Sequence, residues 1–439
     1  MPTETDASPL AAIERRVQER AATLTLRMDG PDAVGRLRLL IDEEIAEWDL
    51  EHKRGRRLVP LGDPAAVAER ALRNLAGHGP LQELLEDDDV WEIMINAPDQ
   101  IFVKRHSGPS GYHSDAFHDD DHVARTLMRL LDDAATAHRK LDPAEGLQDA
   151  QLASGARLHI VHGDIARGGH LLVNIRKFTG VAFRDLGQLV ERDMLGRDAA
   201  AFLAAAVRAR ASIVYAGAPG SGKTTLLSCC CAELDPALRV VTAEEVFEAD
   251  VPVANVASMQ TRPGRPDRTE IDLRRLVAGF LRMAPDIAIV GEVRDREALP
   301  LLLTLSSGVK GYTTIHAGSA RQALTRLRFV CQLADAAKEM PLSALSALVS
   351  ESIDLVVHCA RGPHGPQVTE ILAVEDLATG DATQFTVTEL FARAAPDAPL
   401  TWTGLLPSRA GQLFRRAGLD VRDVLGASKV ADRAARLAS

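Results

Sequence analysis

"YAGAPGSGKTTLLS", Tyr215 to Ser228, decides how this 439-residue chain is read. A strand that merely turns into a helix needs one glycine at most. Here Gly217, Gly220 and Gly222 fall within six residues, and Lys223-Thr224-Thr225 follows at once. Gly217-Ala218-Pro219-Gly220-Ser221-Gly222-Lys223-Thr224 satisfies GxxxxGK[ST] at every fixed position, between an apolar run and a helical one, which is the context the motif requires. Glycines let successive N–H groups converge on phosphate oxygens, and the following helix presents the positive end of its dipole. Lys223 is expected to reach β- and γ-phosphates, and the Thr224 hydroxyl to complete a Mg²⁺ shell. The spacing does not fit the GxGxxG dinucleotide fingerprint. The stretch predicts a nucleoside triphosphate site.

Working outward, "APDIAIVGEVRD" holds a buried apolar strand, Ile287 to Val290, with Gly291 and Glu292 at its C-terminal end, where open α/β sheets place their sites. Glu292 is suited to the Mg²⁺ shell or to polarising water; the plainer reading is a solvated strand-end glutamate. "VVTAEEVFE" ends another strand with Glu244, Glu245 and Glu248. These carboxylates either orient an attacking water or are acidic residues opening a helix. "GYTTIHAG" sets His316 at a further strand end, as a γ-phosphate or interface sensor or as a structural histidine. Arg157 and Arg176 upstream, and Arg262, Arg282 and Arg294 nearer the P-loop, are candidates for stabilising transition-state charge. "HDDDH", His118 to His122, has metal-like spacing but opens an amphipathic helix, where Asp residues are ordinary caps. "EDDD" at 86–89 lacks the glycine and later ligands of a calcium loop.

Apolar residues make up 46% and charged residues 26%, which excludes a disordered chain. A net charge of −10 and 4% aromatics argue against a nucleic-acid channel. The five cysteines form no CxxC pair, so a reducing compartment is expected. No uncharged apolar run of membrane-spanning length is present, and a cytoplasmic protein is expected. Residues 1–62 read as amphipathic helices, 63–188 as an α+β domain and 189–360 as alternating strands and helices of a parallel, doubly wound sheet. Residues 361–439 read as a strand pair, "PQVTEILAVEDL" and "ATQFTVTELF", with a closing helical segment. A nucleic-acid-dependent motor and a nucleotide-gated scaffold without turnover are the competing functional readings.

Five motifs in order carry a resemblance. "GHGPLQELLEDDDVWEIMINAPDQIFV", "GAPGSGKTT", "VTAEEVFE", "LRMAPDIAIVGEVRD" and "GYTTIHAGSARQALTRL" resemble the N-terminal domain opening and the Walker A, acidic, Walker B and histidine boxes of the secretion ATPases of type II and type IV secretion and type IV pilus systems. The nearest branch looks like the Flp/Tad pilus assembly ATPase. The resemblance implies a RecA-like P-loop domain behind a smaller α+β domain. It implies a hexameric ring using ATP and Mg²⁺, peripheral at the inner face of the cell membrane. It also implies a polytopic inner-membrane platform protein as partner, with no direct nucleic acid. By matching position it assigns catalytic roles to Lys223, Glu244, Glu292 and His316, gives Thr224 and Glu292 to the metal, and makes Arg157 and Arg176 phosphate-side arginines. Gln151 stands where arginine is usual, Glu245 where Asp is usual and Asp295 where glycine is common; the first puts one arginine contact in doubt. The tetracysteine zinc module of many type II relatives is absent from this sequence.

Overall fold

The computed structural model describes residues 8–426 other than 25–31, 57–58, 107, 133–140, 178–182, 263, 265–268, 335–339, 363–364, 378–383 and 396. The chain divides into two compact units, residues 1–179 and 180–439.

The first unit opens with three helices, α1 (Pro9–Thr23), α2 (Ala33–Lys53) and α3 (Pro64–Ala76). Ser8 and Asp63 cap α1 and α3, each just ahead of a proline whose missing N–H costs nothing at a helix start. Ile13, Val17, Leu37, Ile41, Ile45, Trp48 and Ala71 form their shared core. The amphipathic helices expected over residues 1–62 pack together with α3, which the sequence reading places in the α+β segment 63–188. After the short α4 (Gln82–Glu86) come β1 (Val90–Ala97), β2 (Gln100–Arg105), β3 (Gly111–Tyr112), α5 (Asp120–Asp132), β4 (Leu147–Gln151), β5 (Arg157–Val161) and β6 (Leu172–Arg176). The strands form an antiparallel sheet in the order β3-β2-β1-β6-β5-β4. Ile93, Ile95, Leu158, Ile160, Val173 and Ile175 point to the face on which α5 lays Val123, Leu127, Leu130 and Leu131. Alternation sets this register: a one-residue slip would turn every isoleucine outward.

His118 and His122 belong to this unit's packing. His118 Nε2 lies 2.9 Å from Glu14 Oε2, and the buried Asn74 amide donates to Glu14 Oε1 at 2.7 Å. His122 is 2% exposed, and its ring stacks obliquely 5.0 Å from that of His118. Among the described residues no group of three or more metal-ligating side chains converges.

The second unit contains α6 (Leu186–Glu191), α7 (Arg197–Arg208), β7 (Ile213–Gly217), α8 (Lys223–Cys231), β8 (Val240–Glu244), β9 (Val256–Gln260), α9 (Leu273–Ala278), β10 (Ile287–Val290), α10 (Ala298–Ser306), β11 (Lys310–Ile315), α11 (Ala320–Gln332), α12 (Leu342–Ser352), β12 (Leu355–Gly362), β13 (Gly365–Val374), β14 (Val387–Arg393), β15 (Leu400–Trp402) and α13 (Arg409–Arg416). Its sheet runs β15-β14-β13-β12-β7-β11-β10-β8-β9. The six strands from β12 to β9 are parallel, and β13 to β15 extend the sheet antiparallel.

The central strands are covered on both faces, so they read as continuous apolar runs rather than alternating ones. Ile213 and Tyr215 of β7 face one core with Phe202, Leu226 and Phe391, while Val214 and Ala216 face the other with Val290, Leu301 and Leu324. The consecutive Cys229, Cys230 and Cys231 are buried in the first of these cores, and burial pushes their thiols up, Cys229 and Cys230 to about 12. They act as small hydrophobes. A doubly wound α/β P-loop unit, a smaller α+β unit and an N-terminal helical segment are the architecture expected from the sequence.

Candidate active site

In a parallel sheet every strand delivers its C-terminal end to the same edge. Register makes this concrete. Ala216 pairs with Ile315, Val290 with both Thr313 and Ala243, and Gly217 with Cys359. The next residues along β7, β8, β10 and β11 are the P-loop, Glu244, Gly291-Glu292 and His316, so four separate sequence motifs arrive at one row.

The P-loop turns on Gly222, the N-cap of α8, with φ of +86° in the left-handed region that glycine adopts without strain. A Cβ there would stand 2.9 Å from Met194 Cε and 3.0 Å from Pro366 Cβ. Thr224 and Thr225 carry N–H groups in the first turn of α8, ahead of any intrahelical acceptor. The buried Ser221 hydroxyl has no hydrogen-bond partner, so this concave turn contains polar groups suited to an anion. Lys223 is 7% exposed, and its ammonium donates to the Ala218 carbonyl at 2.9 Å.

His316 joins the P-loop to the acidic strand tip. Its Nε2 lies 2.9 Å from Glu292 Oε1, while its Nδ1 faces the Gly217 carbonyl at 3.2 Å and the Lys223 ammonium at 3.4 Å. The Nε2 proton serves the carboxylate. Nδ1 accepts from Lys223 when bare and donates to Gly217 when protonated. At Glu292 burial works against the charged form, but the hydrogen bond from His316 and the charges of His316, Lys223 and Arg294 outweigh it and hold the carboxyl below its ordinary range.

The Glu292 backbone is fixed by neighbours that sequence reasoning missed. Thr314 accepts from the Val293 amide at 2.9 Å through its carbonyl and donates its hydroxyl to the Gly291 carbonyl at 2.7 Å. Glu297 accepts from the Arg294 and Asp295 amides, and the Arg294 guanidinium pairs with Glu245. Glu297 precedes the apolar "ALPLLL" as the N-cap residue of α10, and its reach back to the turn is not announced by the sequence.

Glu244 is 3% exposed, and its Oε1 accepts from the amides of Glu248 at 3.0 Å and Ala249 at 2.9 Å. No helix follows it: residues 245–255 form an irregular turn, so the alternative of a helix-opening acidic cluster does not apply. Of the arginines, Arg157 and Arg176 lie in the first unit, directly paired on neighbouring strands, with Glu92 on the other side of Arg176. In the second unit Arg262 forms an antiparallel bridge with Ile271, Arg282 is exposed, and only Arg294 joins the acidic boxes. Gln151 pairs with Arg157 at the edge of its sheet.

Residues 74–386 match the type II/IV secretion system protein family. The chain belongs to that family. Within the type II/IV secretion proteins it resembles a Mycobacterium tuberculosis protein named for conjugal transfer, 31% identical over 337 residues, 74% of this chain and 93% of that one. It also resembles the type IV secretion system protein PtlH of Bordetella pertussis, 31% identical over 305 residues, 64% of this chain and 88% of that one. Among solved structures, the ATPase DotB of Yersinia pseudotuberculosis aligns with a TM-score of 0.48 at 16% identity over 68% of this chain and 78% of that one.

Proposed function

We propose that this protein is a Mg²⁺-dependent ATPase motor that couples ATP hydrolysis to Flp/Tad-type pilus assembly or to protein secretion. The observation that carries the reading is the chain of contacts from P-loop to acid: Lys223 lies 3.4 Å from His316, which lies 2.9 Å from Glu292. A phosphate-binding lysine and a strand-tip carboxylate joined through one imidazole are suited to register whether a γ-phosphate is present.

In this reading the main chain from Gly217 to Thr225 binds the phosphates, and Lys223 leaves the Ala218 carbonyl for β- and γ-oxygens. Glu292 accepts a hydrogen bond from the attacking water and aligns it with the γ-phosphorus; ADP and inorganic phosphate leave. Glu244 assists from the adjacent strand tip, and His316 answers the loss of the γ-phosphate by changing partners between Glu292 and the P-loop.

Magnesium suits this donor set. The Thr224 hydroxyl and Glu292 are hard oxygen ligands, few in number, as expected for an ion that keeps water and substrate phosphates as its other ligands. When bound it neutralises charge on the β- and γ-oxygens. Arg157 and Arg176 are kept as candidate phosphate-side arginines, on the family resemblance alone. The working form is taken as a homohexamer at the cytoplasmic face of the inner membrane, docked on a polytopic platform protein and independent of nucleic acid.

ATP turnover of wild type, Lys223→Ala and Glu292→Gln at fixed Mg²⁺ tests the enzyme. Wild type should exceed Glu292→Gln by about 10²-fold or more, with nucleotide binding retained in that variant and lost in Lys223→Ala. Equal rates in all three proteins would end the motor reading. Electron microscopy with a non-hydrolysable ATP analogue should show six-fold rings, and single-stranded DNA should leave turnover unchanged.

A further inference from the structure

A buried carboxylate holds the main chain of the turn that follows Glu292. Glu297 is 4% exposed, and its Oε1 accepts from the Arg294 amide at 2.6 Å and the Asp295 amide at 2.8 Å. The Asp295 carbonyl in turn accepts from the Ala298 amide at 3.1 Å, closing the turn that leads into α10. Both amides lie in the exposed turn ahead of α10, so without Glu297 they would be left to solvent and the turn would lose the contact that sets its shape.

We propose that Glu297 is a positioning residue for ATP hydrolysis: it fixes the main chain on the C-terminal side of Glu292 so that this carboxylate meets His316 and the attacking water in one orientation. The proposal rests on the ATPase reading above. On the N-terminal side Gly291 is held by the Ala243 carbonyl at 3.0 Å and by the Thr314 hydroxyl at 2.7 Å. The strands secure that side. The other side leaves the sheet after the bond from Val293 to Thr314, and from there Glu297 alone binds the amides of 294 and 295. An error of about 1 Å in a reacting group costs on the order of 10²-fold in rate, so a cap two residues away is felt at the chemistry. Glu297 acts through length rather than charge: its side chain spans back over three residues to two N–H groups.

Length and charge separate in two substitutions. Glu297→Gln keeps an oxygen at the same reach without the charge; Glu297→Asp keeps the charge and loses one methylene of reach. In the full chain, Glu297→Gln should retain kcat within about threefold. Glu297→Asp and Glu297→Ala should each lose about tenfold or more in kcat, with the KM for ATP and the affinity for a non-hydrolysable analogue changed by less than about twofold. Should Glu297→Ala fail to fold, the order of Gln over Asp decides alone. An active Asp variant beside an inactive Gln variant would mean that charge matters, and would overturn the proposal. So would unchanged kcat in Asp and Ala, or loss of nucleotide binding in parallel with kcat. A wild type without turnover would instead remove the ATPase reading itself.

Discussion

Gly291 is the space into which the Glu244 side chain fits. A Cβ at Gly291 would stand 2.9 Å from Glu244 Cγ and 3.2 Å from its Oε1. The acid cannot draw back, because two backbone amides hold that same oxygen. Gly291→Ala should therefore destabilise the C-terminal unit by about 1–3 kcal/mol, the usual cost of overpacking, and lower ATP turnover by displacing two acidic strand tips at once. Denaturant unfolding alongside turnover checks this; unchanged stability would show that the two strand tips are free to part.

His316→Ala should move the acid limb of kcat to higher pH. In the wild type, hydrogen bonding and charge from His316 help keep Glu292 ionised below the ordinary carboxylate range, against the effect of burial. Without His316 the burial effect has less opposition, and Glu292 takes up its proton earlier as pH falls. The same depressed carboxyl contributes stability that is present above its unfolded-state pKa and is lost as pH falls through its folded-state value. A pH–rate profile with an unmoved acid limb would place the catalytic carboxylate elsewhere.

Acid should weaken the N-terminal unit through His122. Burial, reinforced by the charges of His118, Arg125 and Arg129 and opposed by Asp119, lowers this imidazole from 6.5 to about 3. Between those values the unfolded chain binds a proton that the folded unit refuses, so stability falls with falling pH, at most about 1.4 kcal/mol per pH unit. Thermal unfolding between pH 7 and 5 should show the loss, and His122→Gln should flatten it. An equal slope in the variant would assign the effect to other groups.

Asp354 separates stability from chemistry. It lies at the opposite end of the central strands, 3% exposed, accepting from the Ser212 amide at 2.8 Å and pairing with Lys310 at 2.9 Å. Asp354→Ala leaves a largely buried ammonium and a buried amide without their acceptor, and should cost roughly 3–5 kcal/mol. The KM for ATP of the protein that remains folded should not change. A shift in KM comparable to that of a P-loop variant would contradict the separation of the two ends of the sheet.

Local chemistry made the P-loop legible. Strand, glycine turn and helix are consecutive in the chain, and the left-handed conformation at position 222 is one that glycine adopts without strain. The apolar runs of β7, β8, β10 and β11 were legible for a related reason, since strands buried on both faces exclude polar residues. Edge strands were not. β4, "LQDAQ", and β9, "VASMQ", lie at sheet edges, where one neighbour suffices and apolar alternation is not required. Glu244 was recognised as a strand-tip acid, yet its two amide donors lie in an irregular turn that no periodicity announces.

The sequence by itself determined that a P-loop motif joins a strand to a helix and that Glu244, Glu292 and His316 end strands, because each of those facts is encoded within a dozen adjacent residues. Only the tertiary structure decided that His316 stands between Lys223 and Glu292, that Glu244 fills the space Gly291 leaves, and that Glu297 holds the turn after Glu292. Strand order in a parallel sheet is set by crossovers and by the burial of whole faces, so which tips become neighbours is a property of the assembled sheet and of no single segment.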